Sequence, residues 1–288
     1  MKIIKNTHKF ISCILVLHLL MASPVLMAAP VVAENTLYLE SALEHIDEEH
    51  VKASNVYEQT LMLDKLYQWL LLLLKADLTD EQFYDLLKQA QPTVKHIAAF
   101  GNDMAQFLYP NFTFETLDVT LNGKATKAYL NMLSDRYDQE LESYNKHRVI
   151  SSHLLTGESL RSLKPYVTYG YVVTLAGDLY FSELQDFDWL MDGNVKILLA
   201  PNHPVLAGGY PILAAGELIV LGDEHKKIYQ VGTTSGHYRP DYSSHVHVVD
   251  ILVSLGVKSE QIVPTVFLIH RIPWKFVVKS NLKQKEVR

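Results

Sequence analysis

The residues best suited to chemistry lie in one short segment, Ser235–Pro240. His237 can act as an acid or base near neutral pH, and Arg239 can clamp an anion. The segment leads into a predicted helix, whose N-terminal amides would also favour an anionic ligand. Glu217, on a predicted strand earlier in the chain, is a possible carboxylate partner for the imidazole. His237 and Glu217 are therefore the candidate catalytic residues.

A second segment, Leu206–Gly209, ends in two adjacent glycines that permit a tight turn and close backbone approach. The predicted strands 213–221 and 227–231 form a hairpin, and each of its outer ends carries one of the two segments. We therefore expect the segments to lie side by side, with Glu217 on an adjoining strand. The candidate ligand-binding residues are Gly208, Gly209, Ser235, Gly236, His237, Tyr238 and Arg239.

The same residues also permit a purely structural interpretation. The glycines would then serve only tight turns, including Gly216 and Gly236. His237 and Tyr238 would lock the loop by hydrogen bonds, and Arg239-Pro240 would set the start of the helix. Motifs of Gly, His, Tyr and Arg in one loop suit either interpretation, so both stay open.

Three short motifs occur in a fixed order: Leu206-Ala207-Gly208-Gly209, then Ala214-Ala215-Gly216, then Ser235-Gly236-His237-Tyr238-Arg239-Pro240. In this order and spacing, the region from Tyr169 to about Val263 resembles the C-terminal part of the plant IQ-motif-containing calmodulin-binding proteins. Asn202 stands where that family has a histidine, and the chain contains no IQ motif. The resemblance implies a shared domain without a known activity, and calmodulin is not expected as a partner.

Other catalytic and metal signatures do not occur in the sequence. Walker, Gly-x-Ser-x-Gly and dinucleotide-binding patterns are missing, so no cofactor can be named. His245 and His247 are two apart on a predicted helix, point to different faces and cannot chelate one metal ion. We therefore predict no metal site. Four tyrosines favour sheet packing over a sugar platform: Tyr166, Tyr169, Tyr171 and Tyr180.

The N-terminus predicts a cleavable export signal over residues 1–33. Lys2, Lys5 and Lys9 precede an apolar run of about 13 residues, which is too short to span a bilayer. Val31-Val32-Ala33 fits the cleavage pattern, and cleavage after residue 28 or 29 is an alternative. The protein is then secreted or periplasmic, without stable membrane insertion. Cys13 is the only cysteine, so the mature chain would be free of cysteine.

Charge and composition limit the classes of partner that the chain is expected to bind. The chain is 48% hydrophobic, which suits a buried core, and its net charge is −6 before the lysine-containing signal is removed. An acidic chain without a basic block is not expected to bind nucleic acid. The partner is therefore an unknown protein or a small-molecule ligand.

The hydrophobic pattern predicts an α+β fold, with a helical part at 34–150 followed by a mostly antiparallel β domain at 166–280. Thr79 and Gln82 form a capping box that opens a helix, Pro92 starts the next helix, and 125–146 forms another. A polar connection covers 149–165.

The β part should contain strands at 166–175, 179–181, 195–199, 213–221, 227–231, 263–269 and 276–278. Asp241 can cap one clear helix near 241–255, and Gly256 suits the position just after its end. Residues 281–288 form a polar tail.

Two functions remain as hypotheses. The first is an exported binding or interaction protein that uses the domain carrying the two motif segments. The alternative is an enzyme of unknown class that acts on an anionic small molecule or a protein through His237, Arg239 and Glu217.

Overall fold

The computed structural model describes residues 32–50, 56–108, 115–121, 123–184, 189–192, 195–198, 200–223 and 225–265. The predicted signal up to residue 31, the strand at 276–278 and the tail at 281–288 lie outside the described residues. The α+β class is confirmed, because helices precede a mostly antiparallel sheet.

Three helices come first: α1 (Val32–His50), α2 (Val56–Lys75) and α3 (Asp80–Leu108). Their apolar faces meet around Trp69, whose indole donates a hydrogen bond to the Leu39 carbonyl at 2.9 Å. The same cluster includes Ile219, Leu221 and other sheet residues. The helices therefore cover one face of the sheet, where burial of apolar surface stabilises both layers.

The start of α3 confirms the predicted capping box. The Thr79 hydroxyl accepts from the Gln82 amide at 3.2 Å, and the Gln82 side chain accepts from the Thr79 amide at 3.0 Å. The prediction that Pro92 starts a new helix is wrong, because Pro92 lies inside α3. Pro92 is exposed, whereas Thr93 and Val94 beside it are buried. Packing of the buried face therefore keeps the helix continuous despite the lost backbone hydrogen bond.

The predicted helix over 125–146 is wrong in its first half. Two antiparallel strands, β1 (Thr116–Leu121) and β2 (Lys124–Tyr129), form a hairpin around Gly123, which has a φ of +77°. A 3₁₀ turn follows, and α4 (Tyr137–His147) begins only there. Two features favour a strand over a helix in this segment: the left-handed conformation of Gly123 and the pairing of Tyr129 with Ile212. The pairing is a tertiary contact.

The other elements are β3 (His153–Leu154), α5 (Gly157–Arg161), β4 (Thr168–Thr174), β5 (Leu179–Leu184), β6 (Trp189–Asp192), β7 (Val195–Leu198), α6 (His203–Leu206), β8 (Ile212–Gly222), β9 (Lys227–Gly232), α7 (His245–Ser254) and β10 (Ile262–Thr265). The main sheet runs β1-β2-β8-β4-β5-β3, with β9 paired to β8 and β10 parallel to β9. Strand β8 is central, because it pairs with β2, β4 and β9.

The predicted C-terminal helix is confirmed. Asp241 Oδ1 accepts from the Ser243 amide at 2.8 Å, and a 3₁₀ turn over Tyr242–Ser244 leads into α7. Gly256 follows the helix with a φ of +95°. Helix α7 packs on the sheet face opposite the N-terminal helices. In the described part of the chain, no helix has the length and apolarity needed to cross a bilayer.

Candidate functional site

The two motif segments lie side by side, as the sequence predicts. Tyr238 is fully buried and packs with Leu206 and Ala207. Its hydroxyl donates to the carbonyl of Tyr210, which follows the Leu206–Gly209 segment, at 2.9 Å. Burial and hydrogen bonding make Tyr238 the residue that joins the two segments.

The Ser235–Pro240 loop is also held by its own atoms. The Ser235 hydroxyl accepts from the Tyr238 amide at 3.3 Å, and its carbonyl accepts from the Arg239 amide at 3.0 Å. Arg239 has a φ of +47°, and its Nε donates to the Gly236 carbonyl at 3.3 Å. The guanidinium therefore braces the loop that carries it.

His237 is paired with a carboxylate that the sequence analysis did not find. Its Nε2 lies 3.2 Å from Oε1 of Glu140, on α4. The two side chains keep exposed fractions of 14% and 13%, so the pair is largely but not wholly withdrawn from water. The carbonyl of His237 also accepts from the Met132 amide at 2.9 Å. The side chain and the backbone of His237 are therefore both held in place. The carboxylate beside the imidazole is that of Glu140 and not that of Glu217, which the sequence analysis gave as a possible partner.

The other oxygen of Glu140 has a partner too. Asn202 Nδ2 donates to Glu140 Oε2 at 2.9 Å, while Asn202 Oδ1 accepts from the Val205 amide at 3.2 Å and caps α6. An asparagine two residues before a proline was a readable helix-start signal in the sequence. Nothing in the sequence indicated the link to Glu140. We refer to Glu140, Asn202 and His237 as the polar triad.

His203, which follows Asn202 of the triad in the sequence, is hydrogen-bonded to the sheet. Its Nε2 lies 2.9 Å from the Gly216 carbonyl oxygen. Because that oxygen can only accept, Nε2 carries the proton and Nδ1 the lone pair. Burial lowers the pKa of His203 to about 4, the bond to Gly216 opposes this, and neighbouring His237 lowers it further. His203 is therefore neutral at physiological pH and acts as a hydrogen-bonding link between α6 and β8.

Glu217 lies on the central strand β8, and on each of the two adjacent strands the residue paired with it is a glycine. It pairs with Gly170 on β4 and with Gly232 on β9. Since side chains alternate along a strand, it shares a face with Ala215 and Ile219. Ala215 belongs to the cluster around Tyr238, whereas Ile219 belongs to the cluster of the N-terminal helices. The partly exposed carboxylate therefore marks the boundary between two apolar clusters.

Two further tyrosines border the turn at Gly208 and Gly209, which have φ values of +63° and +78°. Tyr210 follows the turn and is 73% exposed. The ring of Tyr137 lies against Gly209, 3.0 Å from where a Cβ would stand. On α4, Tyr137 is three residues before Glu140 and thus on the same helix face. Tyr137 therefore places an aromatic ring on the helix face of Glu140, and Tyr210 exposes a second ring just after the motif turn. The sequence analysis missed both rings as parts of the site.

Of the four tyrosines predicted to pack in the sheet, Tyr169, Tyr171 and Tyr180 do so and Tyr166 does not. Tyr169 and Tyr171 are buried in the sheet core, while Tyr166 is 60% exposed. His245 Nε2 lies 3.0 Å from the Val231 carbonyl oxygen, and His247 Nε2 lies 3.1 Å from the Thr126 hydroxyl. No group of three or more potential metal ligands occurs among the described residues.

Comparison with known proteins finds no matching family model, no matching curated protein and no matching solved structure. Chemically, the site offers an imidazole–carboxylate pair, an oriented amide and aromatic surface. Such a combination can hold a polar ligand, and the imidazole could also exchange a proton with it.

Proposed function

We propose that the chain is an exported binding protein that holds its ligand at the polar triad. The observation that carries this proposal is the His237–Glu140 pair, which stays partly exposed while its backbone and its second carboxylate oxygen are held in place. A group held in one orientation before binding loses little further freedom on binding. The proposal of export rests on the lysine-rich, apolar N-terminus.

The His237–Glu140 pair keeps a small contact with water, which a purely structural role does not require. Tyr238 already joins the two motif segments from a fully buried position. Arg239 already braces the loop. The loop therefore divides its tasks, with Tyr238 and Arg239 supporting the structure and His237 serving the ligand.

A ligand screen by thermal shift tests this proposal. Compounds that raise the melting temperature of the wild-type protein should lose that effect in His237→Ala, because binding to the folded state stabilises it by mass action. His225→Ala is the matched control, since His225 is an exposed histidine in the β8–β9 turn. A ligand that stabilises wild type and His237→Ala equally would contradict the proposal.

An enzyme is the second candidate, and the same pair favours it. A carboxylate beside one imidazole nitrogen can orient the ring and leave the other nitrogen to act as a base. The partner in this version is Glu140, and Arg239 is no longer needed as a clamp. Incubation of each ligand from the screen with wild type and Glu140→Gln, followed by mass spectrometry, decides the matter. Conversion by wild type alone supports an enzyme, and recovery of unchanged ligand supports binding only.

A further inference from the structure

We propose that the ligand of this site is a neutral carbohydrate, with Tyr210 as the stacking platform and the polar triad as the edge that binds hydroxyl groups. This inference rests on the proposed binding function and adds the chemical class of the ligand.

The exposed ring of Tyr210 is the first support. Its exposed fraction of 73% is the highest among the large hydrophobic side chains whose burial the structure describes. Aromatic side chains bury large areas when they can, so an aromatic ring left in water just after the motif turn is a feature to explain.

The backbone that carries this ring is held on both sides. The Tyr210 amide donates to the Ala207 carbonyl at 3.3 Å, and the Tyr210 carbonyl accepts from the buried Tyr238 hydroxyl at 2.9 Å. The preceding glycines adopt left-handed conformations that other residues rarely adopt. The turn therefore presents the ring from a rigid base, which lowers the entropy lost on binding.

The second support is the set of polar groups on the helix that packs against the motif turn. Tyr137 contacts Gly209 and lies on the same helix face as Glu140. Glu140 in turn contacts His237 and Asn202. The Tyr137 ring thus links the motif turn, which Tyr210 follows, to the helix face that carries Glu140.

This arrangement matches a sugar better than a charged ligand. A sugar ring has one apolar face of C–H groups, and its hydroxyl groups both donate and accept. The Glu140 carboxylate would repel an anion. Both of its oxygens already accept hydrogen bonds, which offset part of the negative charge that would attract a cation. A neutral polyol can add to the triad without displacing either contact.

The test is calorimetric titration of the mature protein, without the predicted signal, with soluble cello-, chito- and malto-oligosaccharides. At least one series should bind wild type. Tyr210→Ala should weaken that binding about five- to tenfold, as expected for loss of one aromatic contact. Tyr210→Phe keeps the ring and should bind within about twofold of wild type. Tyr38→Ala, which removes an exposed tyrosine on α1, should bind as wild type does.

Three results would overturn the inference. Equal saccharide binding by wild type and Tyr210→Ala would show that Tyr210 is not the stacking platform. Binding of tetramethylammonium instead of saccharides, lost in His237→Ala, would show a cation site and leave the proposed binding function standing. If neither the saccharides nor any compound of the thermal-shift screen binds, the carbohydrate inference and the proposed function fail together.

Discussion

His237 Nε2 lies 3.2 Å from Glu140 Oε1, although 97 positions separate the two residues in the chain. The contact joins the motif loop to α4, a helix that lies outside the motif region. The second oxygen of the same carboxylate holds Asn202 at the start of α6. One carboxylate therefore connects three segments, the motif loop, α4 and α6.

Glu140→Ala should lower the free energy of unfolding by about 1–3 kcal/mol, because it leaves two donors in a largely buried site without their acceptor. Urea denaturation measures this change. Glu142→Ala is the control, since it removes an exposed glutamate from the same helix and should stay within about 0.5 kcal/mol of wild type. Equal effects of the two substitutions would show that the triad does not connect the segments.

Stability should fall as the pH drops from about 6.5 to about 4, with His203 as one cause. The folded-state pKa of His203 is about 4, below its ordinary value of 6.5. Across this window the unfolded chain binds the extra proton and the folded chain does not, so acid favours unfolding. The loss from His203 by pH 4 is about 3 kcal/mol.

His203→Gln should flatten this pH dependence, because glutamine can still donate to Gly216 but does not titrate. The measurement is urea denaturation at a series of pH values. His225→Gln, at the exposed hairpin turn, should keep the full dependence. Burial also lowers the pKa of His247, so a smaller slope of the same sign should remain. An unchanged slope in His203→Gln would contradict the assignment.

Gly209→Ala should destabilise the protein more than Gly123→Ala. The two glycines have nearly equal φ values, +78° and +77°, so the backbone cost of alanine is similar, about 1–2 kcal/mol. Only at Gly209 would the new Cβ meet a ring, that of Tyr137 at 3.0 Å, whereas nothing lies within 4 Å at Gly123. The difference should be about 1 kcal/mol or more. Thermal melts of both variants give the comparison. Equal melting temperatures would show that the Tyr137 ring moves away from the new Cβ at no cost in stability.

The exported protein should begin between Ala29 and Glu34. The reason is the lysine-rich start, the short apolar run and the small residues at Val31-Val32-Ala33. N-terminal sequencing of protein recovered outside the cytoplasm checks this. Recovery of the full-length chain from the membrane fraction would contradict export by a cleaved signal.

Local patterns in the sequence predicted much of the fold. The β-branched and aromatic run before Gly177 is β4, and the Thr79 capping box opens α3. The cap at Asp241 and the glycine at 256 enclose the C-terminal helix. These features succeed because the residues that decide each one lie within a few positions of one another.

By itself, the sequence determined the α+β class, the central hairpin and the proximity of the two motif segments, since a hairpin joins its ends whatever surrounds it. Only the tertiary structure decided that β2 is a strand paired at Tyr129, that Pro92 stays within a helix, and that Glu140 is the carboxylate on His237. Each of these depends on a surface supplied by a distant segment. Burial and pairing on that surface outweigh the weak local preference of the chain.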